Sequence, residues 1–99
     1  MKRIQELVDQ IDEELESAKD YAEEYIDRKA KNDTNLASRF KQMATEELGH
    51  ADTVHEIAVK EIDQLSRVYT PPVEMENTWK MAHKEYIEKA AWIKQMLTM

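Results

Sequence analysis

The chain has 99 residues, 35% of them charged and 41% hydrophobic, with one Gly, two Pro, no Cys and a formal charge of −7. Without Cys there is neither a disulfide framework nor a thiolate metal site, so any bound metal must be held by Glu, Asp or His. The acidity argues against nucleic acid or an anionic membrane surface as partner and suits a protein that attracts cations. No stretch approaches the roughly 18 apolar residues of a membrane span. The profile is that of one small all-α domain with a modest core, marginal as a monomer. Met1-Lys2-Arg3-Ile4-Gln5-Glu6 is basic, but no apolar run follows, so no secretory signal is expected and a cytoplasmic location is.

The first helix is predicted over about residues 3–29. Its seam, Ile4, Leu7, Ile11, Glu14, Ala18, Tyr21 and Tyr25, alternates steps of 3 and 4, and Val8, Leu15, Ala22 and Ile26 widen it to a bundle stripe. Glu14 is the one seam residue wrong for a core. Its acidic neighbours Glu13, Glu16, Asp20, Glu23 and Glu24 are assigned to solvated outer faces; for Glu16 and Asp20 the competing role is handing cations to a site.

Asn32-Asp33-Thr34-Asn35 breaks the pattern with residues that favour caps and turns, and Asp33 or Thr34 is the expected cap of the second helix. That helix is predicted over about residues 35–69, antiparallel to the first because the loop is short. Its expected core seam is Leu36, Phe40, Met43, Glu47, His50, Val54 and Ile57. A carboxylate and an imidazole thus take consecutive seam positions, and burying them demands pairing, hydrogen bonds or a metal. The prolines at Thr70-Pro71-Pro72 end this helix. A third is predicted over about residues 74–97 with a stripe of Trp79, Ala82, Tyr86, Ala90, Ile93 and Leu97, packing on the hairpin or reaching to a neighbouring subunit.

In an antiparallel hairpin, residues at equal height have numbers summing to about twice the turn centre, near 66 here. Glu14 with Glu47 and Glu14 with His50 sum to 61 and 64, so all three odd residues fall near one level. Carboxylates with one imidazole form a hard O/N donor set suited to non-haem iron or manganese, with zinc as an alternative. One chain offers three ligands; a twofold axis between two hairpins gives four Glu and two His, the inventory of the ferritin-like dinuclear carboxylate site. The expected architecture is therefore a two-helix hairpin plus a third helix, completing a four-helix bundle by dimerisation.

The run Glu14-Leu15-Glu16-Ser17-Ala18-Lys19-Asp20-Tyr21 resembles the first-helix signature of bacterioferritins and encapsulated ferritins, and Glu46-Glu47-Leu48-Gly49-His50-Ala51 resembles their second-helix Glu-x-x-His-Ala motif. With one hairpin per chain, the likeness is closest to encapsulated ferritins and covers about residues 10–60. It implies Glu14, Glu47 and His50 as ligands of a dinuclear non-haem iron site completed in a homodimer or higher homo-oligomer, Glu47 bridging, and oxidation of Fe(II) by O₂. An encapsulin-type shell is the partner the resemblance suggests. No shell-targeting tail is recognised in Ala91-Trp92-Ile93-Lys94-Gln95-Met96-Leu97-Thr98-Met99, and Asp20 stands where those proteins often carry Trp. The competing reading is a non-enzymatic helical-bundle interaction or assembly component whose ionic cluster fixes register.

The remaining residues receive structural readings. His55, about 140° around the helix from His50, is a surface or groove histidine, not a ligand. His83 is a partly buried packing residue, Tyr21 a core residue ahead of a redox-active or hydrogen-bonding role beside the site, and the six Met residues core filler. Gly49, mid-helix at about 1 kcal/mol against Ala, is expected to admit a close-packed helix or a local bulge.

Overall fold

A computed structural model describes residues 2–68 and 70–99 and resolves them into three α-helices, with no strand among the described residues: α1 (Lys2–Ala30), α2 (Thr34–Val68) and α3 (Val73–Met96). Tyr69, the expected end of the second helix, lies outside the described residues. The assembly measures 55 × 18 × 17 Å, and none of its helices is long and apolar enough to cross a membrane.

The register of the α1–α2 hairpin is set at its turn. Asn32 has φ 61°, the left-handed conformation in which a helix terminates and which Asn tolerates better than most residues. The Asp33 N–H then reaches back to the Arg28 carbonyl at 2.9 Å and the Asn32 N–H to the Lys29 carbonyl at 3.1 Å, satisfying the last free acceptors of α1. The next residue opens α2: the Leu36 N–H donates to Asp33 Oδ1 at 3.3 Å, making Asp33 the N-cap. One end closed in this way leaves the other determined, and there Arg3 Nε meets Glu61 at 3.1 Å.

Between these ends the helices touch along small residues. Ala18 and Ala22 of α1 and Ala44, Ala51 and Ala58 of α2 have no exposed surface. Ile4, Leu7, Val8, Ile11, Leu15 and Tyr25 fill the rest of the α1 face. The second-helix seam expected from sequence is displaced. The buried stripe is Ala37, Ala44, Leu48, Ala51, Val54 and Ala58, while Leu36, Met43 and Ile57 are 37–40% exposed. The physical reason is that α2 faces two partners, not one. α1 contacts the alanines and α3 approaches on the adjacent side, at Asp52 and His55. At about 100° per residue, the stripe running through Leu36, Met43 and Ile57 is then turned to the side α3 leaves open.

α3 packs on the hairpin, parallel to α1, and touches α2 more sparsely. Its buried residues are Met75, Ala90, Ile93 and Met96, and Leu97 just past its end is buried too. Met75 joins Ile4 and Val8 in a small apolar cluster at one end, and Lys89 pairs with Glu16 at 3.5 Å further along. Trp79, Ala82 and Tyr86, expected in the stripe, are half-buried. Met75 and Met96 are core residues; Met43, Met81 and Met99 are exposed.

Both turn residues are testable. Asp33→Ala removes the cap and should cost about 1 kcal/mol in urea unfolding. Asn32→Ala places a Cβ in the left-handed region at a cost of about 1–2 kcal/mol, while Asn32→Gly should leave stability equal or higher.

Candidate metal centre

Glu14 comes from the middle of α1, and Glu47 and His50, three residues apart, from one face of α2. The hairpin brings the three together. Their nearest ligand atoms all lie within 4.8 Å of one another. His50 Nδ1 is 3.6 Å from Glu14 Oε2 and 3.7 Å from Glu47 Oε1. Donors held about 2.0–2.2 Å from one ion stand some 3–4 Å apart, so these spacings suit a shared cation with little movement.

The burial differs from the expectation. Glu14 and Glu47 side chains are 23% and 24% exposed, whereas His50 is 62% exposed. The imidazole is not a core residue: it stands at the rim of the groove on the face that α3 leaves uncovered. Among the described residues no polar or charged residue is buried, so a fully buried ionic cluster is not what fixes the hairpin's register.

Two carboxylates at such a separation cannot both carry full charge without cost. Glu47 takes up a proton more readily than an ordinary glutamate, because its carboxyl hydrogen-bonds to Glu14, because it is partly desolvated, and because the Glu14 charge repels its own. His50 opposes the shift as a weaker, favourable neighbour. The pair stores a site for positive charge, whether supplied by a proton or by a metal.

Apolar side chains stand further along the same hairpin. Tyr21 stacks on Phe40 with ring centroids 6.3 Å apart, both half-buried. Leu36, Met43 and Ile57 lie exposed along the same side of α2. Gly49 neither admits a neighbouring helix within the chain nor marks a bulge: α2 is continuous, and a Cβ there would meet open space.

His55 is not among the converging donors. It lies in the α2–α3 groove, with Nε2 2.8 Å from His83 Nδ1. The Tyr86 hydroxyl donates to Asp52 beside it, and Asp52, burial and this bond push the phenol above its ordinary pKa, burial being the largest cause. Reading each histidine alone missed this cluster. The signal was available: Asp52 and His55 are three apart on one helix, His83 and Tyr86 three apart on the next, so antiparallel packing can pair both at once.

Compared with the known protein families, the curated proteins and the solved structures, the chain matches none.

Proposed function

We propose that this chain is an iron-binding, ferritin-like protein that oxidises Fe(II) with O₂ at a dinuclear carboxylate site formed across a subunit interface. The observation carrying this reading is the convergence of Glu14, Glu47 and His50 within 4.8 Å on a face where apolar Leu36, Met43 and Ile57 are left uncovered. Three donors leave an ion with open positions, and a second copy related by a twofold axis would bring the same three. Four Glu and two His would then surround two metals at the centre of four helices, as in ferritin-like carboxylate sites.

Each residue has a distinct task in this reading. Glu47, whose carboxyl holds a proton more readily beside Glu14, would exchange any such proton for an entering cation and is the group suited to bridge two ions. Glu14 supplies negative charge from the opposite helix. His50, at the rim, meets the incoming Fe(II) first and adds the imidazole that makes the donor set mixed. Carboxylates favour the more highly charged ferric product electrostatically, while the electrons pass from the substrate iron to O₂. Manganese or zinc would satisfy the same donors as competing ions.

Oxygen uptake on addition of Fe(II) tests this directly. Glu47→Ala and His50→Ala should each lower the rate by roughly tenfold or more, since loss of supporting residues alone costs that much at metal sites. His55→Gln should retain most of it. Fe(II) oxidation no faster than the uncatalysed background in the parent protein would leave a helical interaction module as the reading.

Thermal melts give a second test through the sign of a stability change. A carboxyl whose folded pKa is raised contributes stability below its ordinary value near 4.5, and that contribution is lost as pH rises through the raised one. With chelator present at neutral pH, Glu14→Leu should therefore melt at or above the parent temperature, because it removes the charge that opposes Glu47. With Fe(II) or Zn(II) it should gain less than the parent gains by mass action. A sharply lower melting point with chelator would mark Glu14 as half of a structural ion pair.

A further inference from the structure

A hydrogen bond between two histidines survives only while one of the facing nitrogens lacks a proton. His55 Nε2 on α2 and His83 Nδ1 on α3 face each other at 2.8 Å. His55 is held there by stacking, its ring 4.3 Å from Tyr86, 5.0 Å from His83 and 5.5 Å from Trp79 between centroids. With the Tyr86–Asp52 hydrogen bond, this cluster is the polar grip of α3 on α2. The other α2–α3 contact is apolar, where Met75 and Trp79 meet Ile62 and Leu65 beside the Pro71–Pro72 link. Everywhere else α3 rests chiefly on α1.

The geometry points to an acid-sensitive latch: protonation of both His55 and His83 releases the middle of α3 from α2, pivoting at the Pro71–Pro72 end, while α3 stays on α1. The first proton is harmless, because a single charge shared across N–H···N strengthens that bond. The second converts donor and acceptor into two facing donors that both carry charge.

The groups facing His55 can be enumerated. α2 itself contributes Asp52 and Glu56, which favour its protonation, and α3 contributes His83, which opposes it. The phenol of Tyr86, also on α3, is neutral and engaged with Asp52. Of the acidic groups on α1, Glu16 pairs with Lys89 at 3.5 Å, and Asp12 is drawn to Lys89 and repelled by Glu85. Burial outweighs all of these, and with His83 it holds His55 below the ordinary histidine pKa. Well above pH 6.5 the ring is neutral whether docked or free, so nothing is lost. As pH falls from there through the lowered value the undocked form binds the proton on His55 first, and where that proton is the second of the pair docking weakens across that interval.

The test uses the full chain carrying Trp92→Phe, an exposed position, which leaves Trp79 as the remaining Trp of the two. Between about pH 7.5 and 5, Trp79 emission should shift to the red with a midpoint below about 6.5, while far-ultraviolet circular dichroism stays helical. In His55→Gln and His83→Gln this transition should vanish. An unchanged midpoint in either variant, or helicity lost together with the Trp79 signal, would overturn the latch. Proton NMR of the parent chain decides independently of the variants. The two imidazoles should titrate in separated, mutually dependent steps, and two independent titrations near pH 6.5 would refute the proposal.

Discussion

The position of Glu14 opposite Glu47 and His50 depends on a turn nearly twenty residues away. Once Asn32 takes the left-handed conformation and Asp33 caps α2, the two helices can slide no further along each other. Each residue of slip would displace the facing side chains by about 1.5 Å along the axis and rotate them by about 100° around it. A single slip would aim Glu14 away from the groove. The convergence of the three side chains thus rests on a backbone hydrogen-bond pattern made by residues that never approach them.

The third helix gives the hairpin two unlike sides. Where α3 lies, the groups between helices are aromatic rings, imidazoles and a phenol bonded to Asp52. On the other side two carboxylates and an imidazole stand on a face that also exposes Leu36, Met43 and Ile57. Paired carboxylates on such a face oppose casual association, because covering them without a cation strands like charges in a poorly solvated place. In the proposed reading that opposition is useful. Assembly and metal loading become one event, since the interface closes comfortably only over positive charge.

Much of this was legible in the sequence, for identifiable reasons. Prolines and an Asn-Asp pair punctuate long amphipathic runs, so three helices and a short hairpin turn follow from local chemistry. Height matching across that turn brings Glu14 level with His50, and a 3.6 Å contact is found there. Which stripe of α2 would be buried was not legible. Leu36, Met43 and Ile57 make the more hydrophobic seam, yet the alanines one position on are the ones buried. Periodicity ranks faces by apolar volume, and it carries no information on where a third helix will lie. The same blindness hid the His55–His83 contact, which exists only because α3 lies over α2 at that height.

The alanine contact between α1 and α2 has a further consequence. Ala18, Ala22, Ala44, Ala51 and Ala58 keep no exposed surface, so the interaxial distance is held by methyl groups with no slack to absorb a larger side chain. Glu14 sits on one wall and Glu47 and His50 on the other, which makes the wall spacing a gauge for whatever lies between them. A Ser or Val in place of Ala22 or Ala44 touches no donor atom, yet it resets the bite of all three. In the proposed reading, selectivity among ions of different radius would be inherited from the smallest side chains in the protein, and drift at those positions would retune it.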